Sequence, residues 1–140
     1  MKMRIITWEE ISEAVDILAI KINSDSKLVP IPRGGLIPSV MLSHKKQMSI
    51  GYQVDHEQSN TLIDDILDGG KTAKELFILW KDRYDLAVLF INENILDSDY
   101  KSGFNNLYYA KTKKYNEWLI LPWENKERAI EDYEQYIATH

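Results

Sequence analysis

The sequence predicts an α/β domain with a mostly parallel central sheet flanked by helices, and three observations predict it. Apolar runs of strand length alternate with stretches of helical periodicity along most of the 140 residues. Two of those runs, at 28–32 and 61–63, lead through polar loops carrying Gly-Gly pairs into helical patterns. A third run, 86–91, is apolar throughout and suits a central strand covered on both faces. Ligands of open parallel sheets sit at the carboxyl ends of the strands, where both Gly-Gly loops fall.

The elements follow in order. Residues 4–6 read as a brief extended run, and Thr7-Trp8-Glu9-Glu10 fits a capping box with Thr7 as N-cap. Ile11, Ala14, Val15, Leu18 and Ile22 then share one helical face, which ends near Asn23. Pro30 cannot donate to a strand ladder, so the 28–32 strand is expected to be partly edge-like or irregular. Residues 36–45 predict a helix with Ile37, Val40 and Met41 inward, and Pro38 is tolerated in its first turn. Residues 48–52 read as a strand and 53–59 as a polar excursion. A helix over 71–81 presents Leu76, Phe77, Leu79 and Trp80 to the sheet. Residues 92–104 form a polar loop long enough to be functional. A strand at 107–110 precedes a basic, exposed turn at 111–116. An aromatic-flanked strand at 118–122 ends at Pro122, and a helix at 126–138 carries Ala129, Ile130, Tyr133 and Ile137 on one face.

Composition narrows the function. The length predicts a single domain, 1–140, and 44% hydrophobic with 28% charged residues describes an ordinary globular protein. A net charge of −5 argues against general nucleic-acid binding, which needs a basic face. The absence of cysteine excludes disulfides and a thiolate nucleophile, and His44, His56 and His140 lack metal-ligand spacing. No apolar run approaches the ~20 residues of a membrane span, so a cytoplasmic protein without membrane contact is expected.

The richest chemistry lies in residues 61–72. A β-prone run is followed by Asp64, Asp65 and Asp68, then by Gly69-Gly70-Lys71-Thr72 at the mouth of a helical pattern. Glycine amides at a helix N-terminus suit an anion. The carboxylates instead need hydroxyl donors or a divalent cation, so a sugar phosphate with Mg²⁺ matches both halves. A P-loop is excluded, because that motif needs glycine five residues before Gly70 and position 65 is Asp. Arg33-Gly34-Gly35 forms a second anion cradle, with a guanidinium beside backbone amides.

These residues resemble the type I phosphoribosyltransferases, most closely those acting on xanthine and guanine. The resemblance covers nearly the whole chain. Residues 5–9 look like the N-terminal entry and 31–38 like the pyrophosphate loop. Residues 63–72 look like the ribose-phosphate signature, and 117–124 like the stretch that meets the purine. The resemblance implies Mg²⁺-dependent transfer of ribose 5-phosphate from phosphoribosyl pyrophosphate (PRPP) to a purine-like nucleobase, as in purine salvage, with release of pyrophosphate. It implies that Gly69, Gly70, Lys71 and Thr72 hold the 5-phosphate. Asp64 and Asp65 would take the ribose hydroxyls directly or through Mg²⁺. Arg33, Gly34 and Gly35 would hold the pyrophosphate, through a cis peptide entering Arg33. Asp68 would be the general base or orient the acceptor, while Trp118 and Leu119 would pack on it and offer main-chain carbonyls. A homodimer or homotetramer is the implied assembly.

Three departures qualify this. The 6-oxopurine enzymes carry a lysine just after the strand matching 86–91, whereas this chain has Asn92-Glu93. Asn92 donates or accepts and does not force a 6-oxo group, so the acceptor base stays open. About eleven residues separate Tyr52 from Asp64, where the family has a longer mobile hood. Gly69 stands for the family's usual hydroxyl residue. The alternative function is a catalytically weak or inactive module of the same fold that holds PRPP or a nucleotide.

Overall fold

A computed structural model of the chain describes residues 1–55, 57–68, 84–96 and 104–140. Within these, β1 (Lys2–Ile5) and α1 (Trp8–Lys21) lead to β2 (Lys27–Pro30) and α2 (Leu36–Lys46). Then come β3 (Asn60–Leu67), β4 (Asp85–Asn92), the single turn α3 (Glu93–Leu96), β5 (Leu107–Lys113), β6 (Glu117–Ile120) and α4 (Lys126–Thr139). The main sheet has the order β2-β3-β4-β5, all parallel. A separate two-stranded parallel sheet pairs β1 with β6. No described helix is long and apolar enough to cross a membrane.

Local chemistry accounts for the element starts. Thr7 Oγ1 accepts from the Glu10 amide while the Glu10 carboxylate accepts from the Thr7 amide, so the capping box forms. Ile11, Ala14, Val15 and Leu18 bury the face that the helical spacing predicts. β4 is buried along its whole length between two apolar clusters. Ala87, Leu89 and Phe90 join α1 and α2 on one side, whereas Leu86, Val88 and Ile91 meet Ile95 and Phe104 on the other. β2 lies at an edge of the main sheet with Pro30 as its last residue, where a missing N–H costs least.

Several expectations change. Residues 48–52 make only an isolated bridge, Ile50 to Leu28. Met48 is buried but Tyr52 is 85% exposed, so the run has too little to bury along one face. On α2, Pro38, Ser39 and Leu42 turn to the core while Val40 is 50% exposed. Strand β3 does not stop at Ile63 but carries Asp64 and Asp65 within it. The run at 107–110 likewise extends to Lys113, so Lys111 and Lys113 are strand residues rather than an exposed turn. The predicted helix at 71–81, with Leu76, Phe77, Leu79 and Trp80, lies outside the described residues, as do Gly69, Gly70, Lys71 and Thr72.

Candidate active site

Because β2, β3, β4 and β5 run parallel, their carboxyl ends share one edge of the sheet. Arg33, Asp64, Asp65, Asp68, Asn92 and Lys113 all belong to those ends or to the loops leaving them.

The loop after β2 is held against β3. The Ile31 amide donates to the Ile63 carbonyl (2.8 Å), and the Gly35 amide donates to the Ile31 carbonyl (2.9 Å). The peptide between Pro32 and Arg33 is cis. The Gly35 amide is thus engaged within the loop, whereas no described residue takes the amides of Arg33 and Gly34 or the Arg33 guanidinium. A Cβ on Gly35 would overlap the Ile63 carbonyl, and one on Gly34 would overlap the Asp65 carboxylate. Gly35 is therefore demanded by close approach to the β3 backbone, whereas Gly34 meets only a side chain. The Asp65 carboxylate is the mobile end of a side chain, so Gly34→Ala should lower stability by only about 1 kcal/mol. If Asp65 holds a divalent cation, displacing its carboxylate should weaken Mg²⁺ binding at least tenfold, read by calorimetric titration.

A cavity of about 690 Å³ opens over this loop, lined among others by Arg33, Gly34, Asp65, Glu124 and Arg128. Guanidinium groups from the β2 loop and from α4 thus share a space with the Asp65 carboxylate. The Glu124 carboxyl is held above its ordinary range, first by partial burial and then by the charges of Asp65 and Asp132, against a backbone hydrogen bond at Leu121. Glu124 and Arg128 had no individual role in the sequence reading. Nothing in their local pattern distinguishes them from solvated helix-start charges, and only the fold sets them across the cavity from the Arg33-Gly34 loop.

Asp64 is buried, and its carboxyl is pushed up to about 8, chiefly by burial and then by the adjacent Asp65 charge. The Asp65 amide donates to Asp64 Oδ1 (2.8 Å), and the Ile66 amide donates to Asp65 Oδ1 (2.7 Å). Among the described residues no group of three acidic, histidine or cysteine side chains is placed to hold a metal ion. A pair of carboxylates still fits Mg²⁺, which commonly takes one or two carboxylates and fills its shell with water and substrate oxygens. A buried carboxyl repelled by its neighbour is a group that a cation would relieve.

Farther along the same edge, register builds a second cluster. Leu67 pairs with Ile91 and Asn92 with Lys113, so one further step sets Asp68, Asn92 and Lys113 in a row across β3, β4 and β5. Asn92 Nδ2 donates to Asp68 Oδ1 (2.8 Å), and Lys113 Nζ pairs with that same oxygen (2.7 Å). Asn92 Oδ1 accepts from the Asn94 amide (2.9 Å), which fixes the orientation of its side-chain amide. The Asp68 side chain is 54% exposed, while that of Lys113 is 2% exposed. Asp65 and Asp68 stand about 10 Å apart along β3, three strand residues.

The structure thus joins Arg33, Gly34 and Asp65 in one group and Asp68 and Asn92 in another. Trp118 goes elsewhere: its ring packs on Tyr136 (5.1 Å between centroids) and Tyr133 (6.1 Å) of α4. Leu119 is buried in the core with Leu121, so its main chain is what remains to meet a ligand. Lys113 is the site residue the sequence reading missed. Its signal is present in outline, as a lysine one strand beyond Asn92, but it is one of three lysines in residues 111–114, a run that reads as solvated.

No protein-family model and no curated protein matches the sequence. Solved structures do. A purine phosphoribosyltransferase from Pyrococcus horikoshii superposes with a TM-score of 0.65 at 21% identity, over 89% of this chain and 95% of that one. A xanthine-guanine-hypoxanthine phosphoribosyltransferase from Helicobacter pylori gives 0.64 at 16%, over 93% and 99%. A hypothetical protein from Neisseria gonorrhoeae with bound ppGpp gives 0.68 at 18%, over 96% and 97%. With its parallel sheet, its Arg33-Gly34-Gly35 loop against β3 and its acids at the strand ends, this chain has the type I phosphoribosyltransferase fold.

Proposed function

We propose that the protein transfers ribose 5-phosphate from PRPP to a nucleobase, releasing pyrophosphate. The observation that carries this reading is one sheet edge bearing the Arg33 loop after β2, the buried Asp64 beside the half-buried Asp65 in β3, and the exposed Asp68 just past its end. Arg33 and the amides of Arg33 and Gly34 would bind the pyrophosphate. Asp64 and Asp65 would orient the ribose through its hydroxyls. As the bond from ribose C1 to the pyrophosphate oxygen breaks, C1 gains positive character and Arg33 balances the negative charge on the leaving group. A bond then forms from a base nitrogen to C1, and Asp68 accepts the proton that the base loses or holds the base in place. Mg²⁺ at Asp64 and Asp65 would supply further charge neutralisation of the pyrophosphate. Residues 69–72 would hold the 5-phosphate on the resemblance alone. Assembly as a homodimer or homotetramer belongs to the same proposal.

A second reading is a module that binds PRPP or a nucleotide without transfer. The neighbour with bound ppGpp favours it, since ppGpp, like PRPP, carries phosphates on both sides of a ribose. Both readings predict that millimolar PRPP with Mg²⁺ raises the melting temperature, by about 2.7 kcal/mol of stabilisation at one hundred times Kd. An unchanged melting curve would sink both. Pyrophosphate release with a panel of bases separates them: release with one base supports transfer, and release with none supports the module. Asp68→Asn should abolish transfer and leave most PRPP binding.

A further inference from the structure

We infer that Lys113 is a positioning residue for the base-facing carboxylate: with Asn92 it loads Asp68 Oδ1, so that Oδ2 is the acceptor offered to an N–H of the nucleobase. The inference rests on the transfer reading and adds a part to it. In that reading a cation near the base would come from the end of β4, where this chain has Asn92. The row across the sheet moves the positive charge one strand over, to the end of β5.

The geometry supports this in three ways. First, Lys113 is almost wholly buried, which is costly for an ammonium unless a specific partner holds it, and its one partner among the described residues is Asp68. Second, the two donors converge on a single carboxylate oxygen, from β4 at 2.8 Å and from β5 at 2.7 Å. A carboxylate held at one oxygen by two donors has its plane fixed, and no described residue donates to Oδ2. Third, Asn92 is itself oriented by the Asn94 amide at the start of α3, so the frame around Asp68 is rigid on the β4 side as well. A ligand carrying N–H beside a ring carbonyl would meet the free oxygen of a carboxylate that is already in place. Lys113 acts through Asp68 and need not touch the base.

Full-length wild type, Lys113→Met, Lys113→Gln, Asp68→Asn, Lys113→Met/Asp68→Asn and the exchange Asn92→Lys/Lys113→Asn would be compared. Melting curves would be recorded first, so that a misfolded variant is set aside and Lys113→Gln stands in for Lys113→Met. Two affinities are then titrated: PRPP with Mg²⁺, and free guanine, hypoxanthine or adenine with Mg²⁺ and pyrophosphate. Lys113→Met or Lys113→Gln is expected to weaken the best base at least tenfold while PRPP affinity changes less than threefold. In the Asp68→Asn background the same substitution should change base affinity less than threefold, because its effect runs through Asp68. The exchange variant should recover to within about fivefold of wild type, since either position adjoins Asp68.

Equal effects of Lys113→Met with and without Asp68 would overturn the inference, as would an exchange variant that regains its melting temperature without base affinity. Wild type that binds PRPP but no base would also overturn it, while leaving the module reading intact. Wild type that binds neither overturns the functional reading itself, so the two failures are told apart.

Discussion

Asp64→Asn is expected to stabilise the ligand-free protein at pH 8 and to remove its response to PRPP with Mg²⁺. In the fold the Asp64 carboxyl is pushed up to about 8, against an ordinary value of 3.8, by burial and then by the Asp65 charge. Between those two values the folded protein holds a proton that the unfolded chain has lost. Unfolding releases it, so stability falls as pH rises from about 4 to about 8, and above 8 the fold carries a buried carboxylate at full cost. Asparagine stays neutral throughout, and its Oδ1 can still accept from the Asp65 amide, which now donates to Asp64 Oδ1.

The gain should be near zero at pH 4 and grow to about 2 kcal/mol or more at pH 8, roughly 6 °C in melting temperature. Thermal melts across that range check it, and a variant less stable than wild type at pH 8 would contradict the buried-acid account. Ligand binding should show the mirror image. On the proposed function, a cation at the Asp64–Asp65 pair would displace the proton, so PRPP with Mg²⁺ should stabilise wild type more at pH 8 than at pH 6. The variant should show neither the stabilisation nor its pH dependence.

Gly35→Ala is expected to cost about 3 kcal/mol or more, roughly 10 °C in melting temperature. The added methyl would overlap the Ile63 carbonyl, which already accepts from the Ile31 amide. Neither partner is the free end of a side chain, so relief requires moving the loop, β3 or both. The Gly35 amide, bound to the Ile31 carbonyl, and the Gly35 carbonyl, bound to the Ser39 amide, would move with it. The β2–β3 junction and the start of α2 would therefore loosen together. Denaturant melts read the loss, and pyrophosphate titration of the surviving folded fraction should show weakened binding as well. A fall under 1 kcal/mol would mean that the loop can shift away from β3 freely. Gly34→Ala, whose methyl meets only a carboxylate end, is the internal comparison.

The sequence by itself determined what depends on neighbours along the chain. Thr7 and Glu10 are three residues apart, so their capping box is complete before any tertiary contact forms. The unbroken apolar run of β4 needs cover on both faces wherever it lies, and it received it. The proline in β2 argues for an edge or an irregular strand, and β2 lies at the edge with Pro30 as its last residue. Arg33-Gly34-Gly35 stands out because glycines permit close backbone approach beside a guanidinium, and Asp64, Asp65 and Asp68 because carboxylates so close together call for hydroxyl donors or a cation.

Tertiary structure decided what depends on register between strands. In sequence, Lys113 is one of three lysines within residues 111–114 and reads as solvated. Its burial follows only from β5 continuing beside β4 until Lys113 meets Asn92 and, through it, Asp68. The Gly35 amide looked free for an anion, and only the turn back to Ile31 occupied it. Trp118 carries no local mark of its neighbour, and α4 brought Tyr133 and Tyr136 to its ring. The shared oxygen and the ring contacts join residues 15 to 45 positions apart, and a one-residue slip in register between β4 and β5 would break the row of Asp68, Asn92 and Lys113.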